Sequence, residues 1–185
     1  MYGNVVTNRQ LRGLNDTKCV EIQNFSSDNL KAAAYTLNPG RILRRSEDGV
    51  WEVCHTFSKN RSQFILRPNE YVQIEPIQHV SINVDGIVGN FIVASSAIDD
   101  GLMIIAGQID SKYGAGSERL KFGVKNLLDI ENTIRLGQRI VHLQFIDLRG
   151  SASDPVKLSE EQKKIWKSRA DWAENNAYRP DLANE

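Results

Sequence analysis

Cysteine is scarce in this chain of 185 residues, which has only Cys19 and Cys54, far apart and without metal-ligand spacing. A disulfide-stapled scaffold and a zinc site of paired Cys-x-x-Cys ligands are therefore not indicated, and each thiol reads as a small apolar side chain. An excess of charge of either sign is missing too: Lys+Arg and Asp+Glu each number 23. Without a net field there is no long-range steering toward nucleic acid or an anionic bilayer, so neither is an expected partner. No apolar run reaches the roughly eighteen residues of a membrane-crossing helix. The opening MYGNVVTNRQLRG has no apolar stretch of the secretory-leader kind, and the expectation is a soluble, cytoplasmic protein. Also absent are a P-loop, the His-x-Glu and Cys-x-x-Cys pattern of zinc deaminases, any internal repeat and any low-complexity segment.

What the chain does carry is strand signal. At this length one domain with a real core is expected. Gly13 inside RQLRGLND allows only a brief N-terminal helix, and Val20 and Ile22 face one way as in a short strand. Ser26-Ser27-Asp28 offers a cap or a turn, Asn38-Pro39-Gly40 reads as a turn, and Arg41 to Arg45 opens another strand. The run from Gly49 to His55 alternates apolar and polar residues, as a half-buried strand does. Two further strands flank Arg67-Pro68-Asn69-Glu70, which has turn chemistry. His55 and His79 lie on such strands with no nucleophile or acid pattern beside them, and both read as packing or surface histidines. About ten short strands with Gly-rich turns, up to residue 148, predict an all-β sandwich or jelly roll over residues 1–150. Residues 151–185 form a second part. There Ser159 to Ala177 reads as one helix, with Gln162 at capping-box spacing from Ser159, and with Trp166 and Trp172 for docking on the domain or on a neighbouring subunit.

The most informative stretch runs from Gly86 to Asn126. Ser95-Ser96 closes the apolar run Phe91-Ile92-Val93 ahead of Asp99-Asp100-Gly101, so its hydroxyls and amides sit where a strand ends, as in many anion cradles. Leu102 to Ile105 then leads through Ala106-Gly107 to Ile109-Asp110, with Tyr113-Gly114 beyond. Taken in order, SSxxxxGL (Ser95 to Leu102), AGxIDSxYG (Ala106 to Gly114), Asn126 and LGQRIVHLQF (Leu136 to Phe145) resemble the motifs of the dUTP diphosphatase and dCTP deaminase superfamily. FILRPNEYVQIEPIQHVSI and AAAYTL upstream resemble its earlier strands, so the resemblance covers about Asn24 to Asp147.

The resemblance implies a distorted jelly-roll, β-clip barrel, assembled as a homotrimer with sites shared between subunits and acting on a pyrimidine deoxynucleotide or a related nucleotide. Asp110 stands at the position of the carboxylate that orients the attacking water, and Tyr113 at that of the ring packed on deoxyribose. Ser95, Ser96 and His142 fall near the phosphates, Gly107 lets the backbone approach the ligand, and a magnesium ion usually offsets the triphosphate charge. The departures are as informative. The first motif reads Tyr35-Thr36-Leu37 where the family has Tyr-Asp-Leu, and Ala94 and Asp99 replace two arginines. A lost guanidinium forfeits a charge-assisted contact of about 1.5–3 kcal/mol, and a carboxylate in its place repels phosphate outright. The family's phosphate-contacting Gln is His142 here, and the deaminase general-base Glu is Gly123. Glu118, in a short insertion, is the conceivable substitute. No Gly-rich, phosphate-wrapping tail is present. Two functions stay open: a diverged dCTP deaminase or dUTP diphosphatase relative acting on a nucleotide, and a catalytically inactive trimer kept for binding or assembly. A nucleic-acid module on Arg41, Arg44, Arg45 and Lys112 is a weaker third.

Overall fold

The computed structural model describes residues 4–110, 113–114 and 119–149. The helix expected from Ser159 to Ala177, together with Lys112 and Glu118, lies outside them. The described residues all fall in the first of two compact units, Met1–Ser151.

In chain order the elements are β1 (Asn4–Val5), α1 (Asn8–Asp16), β2 (Val20–Ile22), a 3-10 turn at Ser27–Asn29, β3 (Tyr35–Leu37), β4 (Pro39–Arg45), β5 (Trp51–Thr56), β6 (Gln63–Leu66) and β7 (Tyr71–Pro76). There follow β8 (Val80–Ile82), β9 (Ile87–Val93), α2 (Ser95–Asp99), β10 (Leu102–Ile105), β11 (Gln108–Ile109), β12 (Phe122–Asn126), β13 (Asn132–Arg135) and β14 (Val141–Asp147). The expected all-β architecture is the one observed.

Two five-stranded antiparallel sheets make the body. In one, β14 is the hub: β9 runs along one edge, and the other edge is shared by β1 at Ile146–Asp147 and β3 at Val141–Leu143. β11 completes this sheet on the far side of β9. The other sheet runs β10-β12-β7-β4-β5, and two small ribbons pair β13 with β6 and β2 with β8. The period-2 pattern drives this arrangement, because alternate residues such as Val72 and Ile74, or Val141, Leu143 and Phe145, point into one apolar core with Tyr35, Leu37, Phe122 and Val124.

Two local expectations are corrected. The N-terminal helix is not brief but nine residues long. Thr7 and Gln10 form a reciprocal capping box, and Leu11 is buried against the sheets, which together outweigh a glycine penalty of about 1 kcal/mol. Asn38-Pro39-Gly40 is not a turn either: Pro39 already pairs with Pro76 as the first residue of β4, across a register shift. Proline is tolerated there because a strand's first residue needs no ladder N–H, and Gly40 lets the backbone of Ile77 come close. No helix among the described residues is long and apolar enough to cross a membrane.

Candidate functional site

The serine motif opens a helix instead of a loop. Ala94 is the N-cap of α2, its N–H held by the Ile140 carbonyl at 3.0 Å, and Ser95 and Ser96 are exposed in the first turn. Ser96 Oγ donates to the Arg139 carbonyl at 2.9 Å, which ties the serine pair to the approach of β14. On that strand His142 registers with Thr36 on one side and Ile92 on the other. Paired residues of adjacent strands share a face, so the three side chains lie in a row. Thr36, 0% exposed, meets His142 Nδ1 through Oγ1 at 3.0 Å. Thr36 and His142 are two positions at which the chain departs from the motif pattern, and they are hydrogen-bonded to each other.

Burial holds the His142 imidazole below its ordinary range, and the nearby charges of Lys31 and Arg139 push it the same way. The ring is therefore neutral near neutral pH, when one nitrogen donates and the other accepts. Neither Lys31 nor Arg139 is in an ion pair among the described residues. These two cations are the residues that the sequence reading missed. Arg139 stands inside the quoted LGQRIVHLQF segment, while nothing in the neighbourhood of Lys31 marks it.

The second group of expected residues lies elsewhere. Asp110 is exposed, with Oδ1 accepting from Gln108 Nε2 at 2.7 Å. Tyr113 is half-buried against the core, and its carbonyl accepts from the Ile82 N–H at 2.9 Å. Gly114, at φ +73°, is fixed by packing and not by a ligand, because a β-carbon there would run into the Val80 carbonyl. Gly107 lines a small hollow of about 210 Å³ with Tyr71, Gln73, Ile105, Ala106, Lys121, Phe122 and Gly123. A β-carbon on Gly123 would overlap the Tyr71 ring. The space that a side chain at position 123 would need is thus taken by the Tyr71 phenol.

The two groups do not meet within one chain. Ile109 pairs with Gly89 near the start of β9, whereas Ser95 follows its end. At roughly 3.3 Å per residue the strand separates them by about 20 Å. Ser95, Ser96 and His142 come together with Thr36, Lys31 and Arg139; Asp110 and Tyr113 stand apart from them.

Asn126 has a structural role. Fully buried at the end of β12, its amide donates to the carbonyls of Arg67 at 3.0 Å and Ile130 at 2.8 Å, and its oxygen accepts from the Leu128 N–H at 3.1 Å. His55 packs edge-on against Phe57 at 4.6 Å, with Nε2 3.3 Å from the Arg61 carbonyl, as a packing histidine does. Magnesium seeks about six oxygen ligands. The face at Thr36 offers three hydroxyls, of Thr36, Ser95 and Ser96, and one imidazole beside two cations, which does not suit a protein-held Mg²⁺. No group of three or more His, Cys, Asp or Glu that could hold a metal gathers among the described residues.

No protein family described by sequence matches the chain, and no curated protein does. Among solved structures it matches the 2'-deoxycytidine 5'-triphosphate deaminase from Agrobacterium tumefaciens with TM-score 0.64 and 10% identity, over 80% of this chain and 50% of that one. The chain therefore spans half the length of that deaminase. A dUTPase of Staphylococcus bacteriophage 80alpha with dUPNHPP matches at TM-score 0.47 and 18% identity, over 76% of this chain and 89% of that one. A native EIAV dUTPase matches at TM-score 0.43 and 16% identity, over 67% and 96%. The first of these likenesses establishes the fold: this chain is built like the deaminase, as the order of its motifs led one to expect.

Proposed function

We propose that this chain binds the phosphates of a nucleotide on the face formed by Ser95, Ser96, Thr36, His142, Lys31 and Arg139, and that the Asp110–Tyr113 segment of a second copy in a homotrimer completes the site. The observation that carries this reading is the Thr36–His142 hydrogen bond beside two cations that are in no ion pair among the described residues. A neutral imidazole that accepts at Nδ1 presents Nε2–H outward as a donor, and Lys31 and Arg139 supply positive charge where the motif's arginines are replaced by Ala94 and Asp99. Asp110, exposed and acidic, is suited to orient a water molecule for attack on phosphorus. Tyr113, the candidate for the sugar, is anchored beside it through its backbone. No step needs a metal held by these side chains.

Between the two chemistries of the resembled superfamily, hydrolysis of a phosphoanhydride is favoured over deamination of a base. Deamination needs a carboxylate near position 123, and the Tyr71 ring covers Gly123. The bond broken would be a P–O bond, with the hydroxide equivalent from water adding to phosphorus and the departing phosphate taking the electron pair. The second reading, an inactive trimer retained for binding or assembly, draws on a different observation: Asp110 is engaged by its own Gln108. Incubating the purified chain with each deoxynucleoside triphosphate, with and without magnesium, and separating products by chromatography decides between them. Turnover that is lost in Asp110→Asn supports the enzyme; silence with every nucleotide, together with nucleotide-dependent thermal stabilisation, supports the binding protein. Silence without any stabilisation overturns the nucleotide site and favours a trimer retained for assembly that has lost triphosphate recognition.

A further inference from the structure

A hollow of about 390 Å³ lies between α1 and the end of β14, with no residue in common with the face at His142 or the Asp110 segment. That volume is within the roughly 300–1,000 Å³ of pockets for small ligands. Gly13 and Leu14 of α1 and the helix C-cap Thr17 line it with Val6, and Asp147 and Arg149 line it from the last strand onward. Leu14 packs on the core and Val6 is buried, which makes this wall apolar in character. The Thr17 hydroxyl is spent on the Gly13 carbonyl at 2.8 Å.

Gly13 stands out on α1. Glycine is among the least favourable residues in a helix interior. A close approach of another element would account for it, yet a β-carbon at Gly13 would meet nothing of its surroundings within 4 Å among the described residues. Neither helix stability nor packing calls for a glycine here. Its effect is to leave the wall of the hollow open beside Leu14.

The polar end is equally defined. Arg149 lays its stem against Gly86 and forks onto Asp147, with Nε 2.9 Å from Oδ1 and Nη2 2.6 Å from Oδ2; its backbone N–H donates to Oδ1 at 3.0 Å. These hydrogen bonds hold the Asp147 carboxyl below the usual carboxylate range, so the pair is ionised and carries no net charge. A guanidinium has more N–H groups than one carboxylate can take. The Nη1 edge has no bond among the described residues, and the side chain is 43% exposed. Such an open edge receives a second carboxylate through two parallel hydrogen bonds. Because the pair is already neutral, a monoanion suits it better than the dianion of a phosphate.

We propose that the hollow between α1 and the Asp147–Arg149 pair is a site for a small monocarboxylate with an apolar body, the carboxylate on the Nη1 edge of Arg149 and the hydrocarbon along Gly13, Leu14 and Val6. The site is independent of the nucleotide reading. The test follows backbone amide resonances of the full chain while hexanoate, acetate, hexanol or hexyl phosphate is added. Hexanoate is expected to shift Gly13, Leu14 and Arg149 saturably, with each of the other three weaker by about tenfold or more. Gly13→Leu, which sets a better helix former into open space, is expected to raise the thermal midpoint while weakening hexanoate by about tenfold or more. Arg149→Gln is expected to weaken hexanoate by about as much and to leave hexanol unchanged. The proposal is overturned if hexanoate leaves Gly13 and Leu14 unmoved, if either variant binds hexanoate as the parent does, or if any of the other three probes binds as tightly as hexanoate.

Discussion

Asn126 and Asp110 are both polar motif residues that close a strand in the stretch from Gly86 to Asn126, yet their surroundings are opposite. Asn126 is walled in, and both ends of its amide hold backbone groups from two loop segments, the β6–β7 and β12–β13 connections. Asp110 is exposed, and among the described residues its carboxylate has one partner, the side chain of Gln108. A buried amide with every group satisfied is kept for architecture, since the fold itself loses if it changes. An exposed carboxylate with little to stabilise in its own chain is open to another molecule. Motif matching treats the two alike; burial and hydrogen bonding separate them.

The comparison can be broken most forcefully at Asn126. Asn126→Ala leaves the carbonyls of Arg67 and Ile130 and the Leu128 N–H without their partner, at about 1–3 kcal/mol for each buried group left unsatisfied. A loss of about 3 kcal/mol or more is expected in denaturant unfolding, and a loss below about 1 kcal/mol would contradict the structural role. Gly123→Ala comes next. Its methyl must displace the Tyr71 ring, an overpacking worth about 1–3 kcal/mol, and the penalty should shrink when the same change is made in a Tyr71→Ser background.

A smaller effect is expected from pH. His142 and His55 are both held below their ordinary value, each chiefly by desolvation. Between the lowered folded value and the unfolded value near 6.5, the unfolded chain binds more protons. Stability is therefore full above about 6.5 and falls as pH drops below it. Lys31→Gln should raise the His142 titration midpoint followed by NMR, because a nearby positive charge is removed; an unchanged midpoint would separate Lys31 from the imidazole. The smallest effect belongs to Asp110→Asn, which should change unfolding stability by no more than about 0.5 kcal/mol. A large loss there would move Asp110 into the architectural class with Asn126.

Much of the fold was legible because its signals are local and periodic. Alternation located β5, the apolar run Phe91-Ile92-Val93 marked the end of β9, and the Arg67-Pro68-Asn69-Glu70 turn stands where its chemistry put it, between β6 and β7, with Asn69 at φ +57°. What misled were residues whose meaning depends on a partner. Pro39 looks like a turn residue until Pro76 is seen beside it. Gly114 looks like a place for a ligand until the Val80 carbonyl is found there. The site was legible by residue type and not by arrangement. His142 and Thr36 lie 106 residues apart in sequence, and no local pattern could pair them or bring Lys31 alongside. Nor could spacing reveal that β9 holds Ser95 and Asp110 at opposite ends.

That separation makes complementation between copies the most direct measurement. Asp110→Asn chains and chains carrying His142→Ala with Arg139→Ala are co-expressed under different tags, and doubly tagged assemblies are assayed for nucleotide hydrolysis. Each variant alone should be inactive, and the mixed assembly should recover a definite fraction of the parent activity through sites that combine an intact face from one copy with an intact Asp110 from another. A parent that hydrolyses nucleotides while the mixed assembly stays silent would contradict a site shared between copies.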